Sequence, residues 1–133
     1  MLKLVLIAAI ISAAPPREPT FRLVCKERQH GECFSDTSCQ KHPSRNTLLK
    51  IVLPELVRVR EAQGTMQQCE GDICGETWIV DARETQGGGW AVRHSATELA
   101  VIDGQTGFFT RTTVGNGPRE GAVSFAFGTC KRD

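Results

Sequence analysis

The chain is 133 residues long, is 40% hydrophobic and 23% charged, and contains six cysteines. This length suits one domain, and the composition is that of a folded globular protein, which excludes wholesale disorder. The formal net charge of +1 removes the electrostatic argument for binding to nucleic acid or to an anionic membrane surface.

The first residues have the pattern of a secretory signal peptide. Lys3 supplies a short positive region, residues 4–11 are uncharged and apolar, and three small residues follow. Such a segment is too short to span a bilayer as an anchor, and we expect cleavage after Ala13 or Ala14. The mature chain then carries equal numbers of acidic and basic side chains, and we expect it in the periplasm or secreted.

All six cysteines lie in the predicted mature part of the chain. An exported protein meets an oxidising compartment, so an even number of cysteines predicts three disulfides. The sequence alone does not choose among the connectivities, but the short spacings favour two local pairs and leave the first cysteine to pair with the last. The favoured pairs are Cys25–Cys130, Cys33–Cys39 and Cys69–Cys74.

A zinc site is an alternative use of part of this set. His30, Cys33, Cys39 and His42 have the spacing H-x2-C-x5-C-x2-H. Two thiolates and two imidazoles suit tetrahedral zinc, but all four ligands would have to come from one thirteen-residue loop. The sequence therefore favours a disulfide with two exposed histidines beside it, and it predicts no metal and no other cofactor.

Beyond residue 20, apolar and polar residues alternate with a period of two, which predicts β-strands. The predicted strands lie at 21–25, 48–53, 56–60, 77–83, 90–94, 98–102, 108–114 and 122–130. A helix through 47–62 is the rival prediction, but Pro54 inside it would cost about 3 kcal/mol. Residues 26–46 and 61–76 are predicted to be long polar loops. Turn signals lie at 86–89, 103–104 and 116–118.

Seven or eight short strands joined by hairpin signals predict an all-β fold. We expect a small antiparallel meander that forms a closed or nearly closed β-barrel with disulfide-pinned loops. If Cys25 meets Cys130, the first and last strands are neighbours and the meander closes. The interior of an eight-stranded barrel is either filled by side chains or able to hold one small ligand. The predicted segments are a signal peptide at 1–14, a proline-rich spacer at 15–20 and a single barrel-like domain at 21–133.

The sequence contains no clear catalytic constellation. The candidates for a Ser/His/Asp set are Ser124, His94, Asp81 and Asp103. No serine follows the strand-turn-helix pattern of a nucleophile elbow, so we expect His94 to lie on a strand with a solvated tip. We predict that the protein is not an enzyme. The absence of tyrosine also argues against the aromatic girdles of an outer-membrane barrel.

Five phenylalanines are predicted to contribute to the core: Phe21, Phe108, Phe109, Phe125 and Phe127. Phe108 and Phe109 are adjacent, so one of their rings must point away from the core of a regular strand. The outward ring makes this pair a candidate contact surface. His30 and His42, which we expect to be exposed, complete that candidate surface.

Three short motifs carry a resemblance to known proteins. They are the strand that ends in Cys25, the E-C-F motif at 32–34 and the terminal G-T-C motif at 128–130. With them the chain resembles small exported bacterial proteins, mainly alphaproteobacterial, that are uncharacterised and lipocalin-like or barrel-like. The resemblance spans most of the mature chain and implies a periplasmic, disulfide-bridged barrel, but it implies no activity.

These observations favour a non-catalytic binding or envelope-associated β-barrel module that presents residues 26–46 and 61–76 to an unknown protein or small ligand. One alternative is a periplasmic inhibitor like those of c-type lysozymes, although the S-G-x-x-Y-type motif of such inhibitors is absent. The other alternative is a small hydrolase with a polar pocket around His94. We predict no nucleic-acid partner and no stable membrane span in the mature chain.

Overall fold

The structure is a computed structural model that describes residues 18–34, 38–114 and 122–133. The predicted signal peptide, the first part of the predicted spacer and the predicted turn at 116–118 lie outside these residues. The strands are β1 (Thr20–Cys33), β2 (Cys39–Pro43), β3 (Thr47–Pro54), β4 (Ala62–Glu70), β5 (Ile73–Glu84), β6 (Trp90–Ser95), β7 (Glu98–Ile102), β8 (Phe108–Val114) and β9 (Val123–Arg132). Within the described ranges there is no helix with the length and apolar character that a bilayer crossing needs.

Eight of these strands close into an antiparallel barrel. From β3 to β9 each strand pairs with the next one along the chain, and β1 pairs with β3 on one side and with β9 on the other. β2 lies beside the second half of β1, on the side that β3 takes beside the first half. The predicted all-β meander that closes into a barrel is confirmed.

Three disulfides each join two paired strands. Cys25–Cys130 links β1 to β9, where the two residues face each other in register, and Cys25 is fully buried inside the barrel. Cys33–Cys39 closes the β1–β2 hairpin, and Cys69–Cys74 closes the β4–β5 hairpin. This is the pairing that the spacing of the cysteines favours.

The prediction of two long polar loops is wrong. β1 continues to Cys33, β4 occupies Ala62–Glu70 and β5 begins at Ile73, so most of 26–46 and 61–76 is strand. The apolar alternation that identifies a half-buried strand is missing there, because the inward side chains at this end of the barrel are polar. The two local disulfides therefore hold hairpins rather than loops.

The strand predicted at 56–60 is also wrong, because Glu55–Arg58 forms a 3₁₀-helical turn between β3 and β4. Val57 is buried and packs into the core, whereas Val59 is almost fully exposed. The turn lies at one end of the barrel, which we call the base, and Val57 covers the interior there. The rival helix through 47–62 does not form.

Apolar side chains from alternate strand positions fill the base half of the interior. The larger core residues are Phe21, Leu23, Leu49, Ile51, Leu53, Met66, Val80, Trp90, Val92, Ile102 and Phe109. Burial of one side chain of this kind contributes about 1.5–3 kcal/mol relative to leaving it in water. This packed half holds the strands in register for the other half of the barrel.

Three of the five phenylalanines predicted for the core lie on the outer face instead: Phe108, Phe125 and Phe127. Phe21 and Phe109 are buried as predicted. The small residues of β9 face inward, because Gly128 lies opposite Phe109, whose ring occupies the interior. A period of two shows which residues share a face, but it does not show which face is inside.

We predict that Gly128→Ala destabilises the barrel by roughly 2–4 kcal/mol. A Cβ atom at this position would lie 1.8 Å from the backbone oxygen of Lys26 and 2.8 Å from Cε1 of Phe109, so β9 would have to move away from β1. Gly75→Ala is the control, because a Cβ atom there would come no closer than 3.6 Å to another atom. Urea unfolding measures both variants, and equal losses of stability would contradict this account.

Removing the Cys25–Cys130 disulfide should destabilise the protein more than removing either local disulfide. The long bond spans 105 residues, against 6 and 5 for the local bonds. Loop-closure entropy assigns it about 4–5 kcal/mol and assigns each local bond about 2 kcal/mol. Urea unfolding of Cys25→Ala/Cys130→Ala and of Cys33→Ala/Cys39→Ala tests this order. A larger loss of unfolding free energy in the second variant would contradict the prediction.

Candidate functional site

The interior becomes polar at the end of the barrel opposite the base, where β3, β5, β7 and β9 begin. We call this end the mouth. Its polar side chains occupy the next inward strand positions after the core residues. Inward and outward residues therefore still alternate, but the inward residues are polar instead of apolar. The pairs of core residue and next inward residue are Cys25 and Glu27, Leu49 and Thr47, Met66 and Gln68, Ala100 and Glu98, and Phe109 and Arg111.

Arg111 connects opposite walls of the mouth. Its guanidinium group, on β8, pairs with the carboxylate of Glu98 on β7 and donates a hydrogen bond of 2.8 Å to Oε1 of Gln68 on β4. The side chains of Arg111 and Glu98 are only 15% and 12% exposed. A buried ion pair of this kind adds little to stability compared with apolar side chains of similar volume. We therefore treat it as a mark of function rather than of folding.

Glu27 and His30 form a second buried pair. The β1–β9 register shifts between Glu27 and Gln29, and this bulge brings the side chains of Glu27 and His30 to the same side of β1. Nδ1 of His30 lies 2.9 Å from Oε1 of Glu27, but neither imidazole nitrogen makes a hydrogen bond of good geometry. His30 therefore offers unused hydrogen-bonding capacity inside the mouth.

His42 lies next to His30, directly across the β1–β2 ladder. The centroids of the two rings are 5.3 Å apart, and Nε2 of His42 is 3.5 Å from Oε1 of Glu32. Each histidine thus lies beside a carboxylate as well as beside the other imidazole ring. The structure brings together these two members of the predicted contact surface, at the rim of the mouth.

The other two members of that surface lie elsewhere. Phe108 is 60% exposed on the outer face near the base, and Phe109 is buried in the core. Only one ring of the pair points outward, as the regular alternation of β8 requires. The four predicted residues therefore do not form one continuous surface.

The mouth contains a cavity of about 290 Å³. Its charged lining residues are Glu27, Glu32, Glu70, Arg45 and Arg111, and both His30 and His42 border it. This volume is at the lower end of the range for small-molecule sites. The cavity can take a small polar molecule but not a large apolar one.

The candidates for a Ser/His/Asp set do not come together. Ser124 borders the mouth, whereas Asp81 lies opposite Arg93 on the outer face and Asp103 lies in the turn at the base. The ring of His94 stacks on Trp78 at 4.5 Å, and its Nδ1 is buried without a hydrogen-bond partner. His94 is half-buried.

Asp103 is an ordinary turn residue. The backbone N–H of Gln105 donates to its Oδ1 over 2.8 Å, which lowers the pKa of the carboxyl group below its usual value. This hydrogen bond shapes the β7–β8 connection and has no counterpart at the mouth.

The alternative zinc site does not form, because Cys33 and Cys39 are joined as a disulfide. Within residues 18–34, 38–114 and 122–133, no group of three or more His, Cys, Asp or Glu side chains is arranged to hold a metal ion. The histidines of the former zinc candidate instead face carboxylates at the mouth.

The chain matches no protein-family model, and neither a curated protein nor a solved structure matches it. The function is therefore inferred from the geometry of the mouth.

Sequence reasoning missed the inward-facing polar residues Glu27, Gln68, Glu98 and Arg111, of which Glu27 is buried and the others are half-buried. One signal was present: each stands two positions from an apolar residue that faces the core, and so shares its face. A charged residue on the same strand face as apolar core residues indicates a polar interior only if the sheet is known to close into a barrel. The pairing of Arg111 with Glu98 and Gln68 depends on that closure.

We predict that Arg111→Met lowers the free energy of unfolding by roughly 3 kcal/mol, because it leaves the buried carboxylate of Glu98 unpaired. The double variant Glu98→Leu/Arg111→Met should recover most of this loss. Arg22→Met is the control, since it breaks an ion pair with Asp133 whose side chains are half-exposed, and it should change stability by less than about 1 kcal/mol. Urea unfolding measures the stability of all three variants. A double variant that is less stable than Arg111→Met would contradict this account of the ion pair.

Proposed function

We propose that this chain is an exported, non-catalytic binding protein whose mouth takes a small cationic molecule rich in hydrogen-bond donors. The observation that carries the proposal is the group of three carboxylates around a cavity of small-molecule size, of which Glu27 is buried, Glu32 half-buried and Glu70 exposed. Buried charged groups are costly, and they recur in proteins where a ligand uses them.

The charge balance of the cavity favours a cation. Glu27, Glu32 and Glu70 line it, while the guanidinium of Arg111 is already engaged by Glu98 and Gln68. The remaining positive side chain, Arg45, is exposed, as is Glu70, so the two exposed charges offset each other and Glu27 and Glu32 decide the sign. An ammonium or guanidinium group placed among the three carboxylates would gain charge-assisted hydrogen bonds.

The histidines support a binding role over a catalytic one. His30 and His42 each face a carboxylate, and among the residues that the structure describes neither is paired with a hydroxyl or thiol that it could activate. Both imidazole nitrogens of His30 are buried at the mouth without a hydrogen bond, so the ring has hydrogen-bonding capacity that a ligand could use. The mouth thus offers acceptors rather than an activated nucleophile.

Export is supported by the signal-peptide pattern and by the disulfides. Three disulfides are typical of proteins that fold in an oxidising compartment. The resemblance to small exported barrel-like proteins of alphaproteobacteria points to the periplasm, with secretion as the other destination. We place the binding function there, in a bacterial envelope.

Thermal unfolding with three molecules of similar length tests this function: putrescine, 1,4-butanediol and succinate. Putrescine should raise the Tm, because a ligand at ten times its Kd stabilises the folded state by about 1.4 kcal/mol. The neutral diol and the dianion should leave the Tm unchanged. Stabilisation by succinate, or no response to putrescine at millimolar concentration, would overturn the assignment.

Two carboxamide variants locate the site. Glu27→Gln removes a carboxylate that lines the cavity and should abolish most of the putrescine shift. Glu61→Gln is the matched control, because Glu61 is exposed and lies at the base end of β4. Equal putrescine shifts in the two variants would show that binding occurs away from the mouth.

A further inference from the structure

Each of the two carboxylates that decide the charge of the mouth has a histidine beside it. Nδ1 of His30 is 2.9 Å from Oε1 of Glu27, and Nε2 of His42 is 3.5 Å from Oε1 of Glu32. All four side chains line the cavity. A change in the charge of either histidine therefore acts directly on a carboxylate that would hold a cationic ligand.

The strand pairing brings these four groups into one cluster. His30 and His42 lie directly opposite each other on β1 and β2, and their ring centroids are 5.3 Å apart. Glu32 follows His30 on the inward face of β1, and the bulge of β1 places Glu27 on the same side. We call His30, His42, Glu27 and Glu32 the His–Glu cluster. Two positive rings at this separation repel each other, but here each ring has a carboxylate beside it that favours its charged form.

The histidines are the groups of this cavity that change charge near neutral pH. Among the described residues, the other charged groups around the cluster lie on β4, β7, β8 and the β2–β3 connection: Glu70, Glu98, Arg111 and Arg45. Carboxylates and guanidinium groups ordinarily keep their charges between about pH 5 and pH 8. Histidine is the side chain that ordinarily gains or loses its charge in this range. The β9 residues that face the cluster, Ser124 and Ala126, carry no charge.

We propose that acidification releases the bound cation from the mouth by protonating His30 and His42. This inference rests on the proposed binding of a cation and adds its regulation. When the two rings are neutral, the charges of Glu27 and Glu32 are available to the ligand. Each ring that takes up a proton from solvent becomes an imidazolium, pairs with its carboxylate and adds a positive charge beside the ligand. Protons and the ligand thus compete for the same two carboxylates.

This competition gives the pH dependence a defined sign. A cation that binds the cluster in its unprotonated form displaces protons, so its affinity is full above the range in which histidine titrates and falls as the pH falls through it. An ordinary histidine is about 90% protonated at about pH 5.5, so displacing its proton weakens binding by about tenfold. Two histidines together account for a weakening of up to about 100-fold.

Isothermal titration calorimetry with putrescine at about pH 8 and about pH 5.5 tests the inference. We expect the Kd to rise by roughly 10- to 100-fold at the lower pH. An equal Kd at both pH values would overturn this inference and leave the proposed function intact. Absence of putrescine binding at both pH values would overturn the proposed function and this inference with it.

The double variant His30→Gln/His42→Gln assigns the pH dependence to the cluster. It keeps both carboxylates but cannot become cationic, so the ratio of its two Kd values should be close to one. His94→Gln is the matched control, because His94 stacks on Trp78 and is not among the described residues that line the cavity. This variant should keep the ratio of the unmodified chain. A double variant that also keeps this ratio, or a His94→Gln variant that loses it, would overturn the inference.

Proton release on binding gives a test that needs no variant. Calorimetry of the unmodified chain at about pH 6.5, in phosphate and in ACES, compares two buffers that differ in ionisation enthalpy. We expect about one proton to be released for each putrescine bound, because two ordinary histidines are each half-protonated at this pH. Binding with no proton release, or with proton uptake, would overturn the inference.

Discussion

The pairing of β1 with β9 is the constraint on which the rest of this structure depends. It joins residues more than a hundred positions apart, and the buried Cys25–Cys130 disulfide secures it from inside the barrel. Closure removes the free edges that an eight-stranded meander would otherwise expose. It also places the second half of β1 against the start of β9, so the Glu27–His30 pair lies over the barrel interior. Without this ladder, neither the core nor the mouth would be enclosed.

Inward and outward residues alternate along the strands in both halves of the barrel, but the inward residues differ in polarity between the halves. Near the base the inward positions are apolar and nearly all buried, and their packing supplies the favourable free energy of folding. One step further along the same strands, the inward positions carry Glu27, Gln68, Glu98 and Arg111. Apolar residues at these positions would fill the cavity and give a more stable barrel. The polar mouth is therefore not explained by the requirements of the fold, and the proposed binding function rests on this feature.

The sequence predicts the fold well where the inward face is apolar and fails where it is polar. The strands at 98–102 and 108–114 have the predicted bounds, because Ile102 and Phe109 alternate with exposed residues there. The strand at Ala62–Glu70 was predicted to be a loop, since Gln68 and Glu70 give no apolar signal. The network around Arg111 could not be predicted at all, because Gln68 reaches it only after the barrel has closed. The alternation of apolar and polar residues thus identifies individual strands, whereas the contacts within the mouth depend on pairing between strands that are far apart in the sequence.

The inward and outward faces of β9 carry side chains of very different size. Its inward residues are small, since the side chains of Phe109 and Arg111 occupy the interior beside Gly128 and Ala126. The period of two then sends the large residues of β9 outward, where Phe127 remains exposed. The small inward side chains of β9 thus leave room for Arg111 at the mouth and for Phe109 nearer the base.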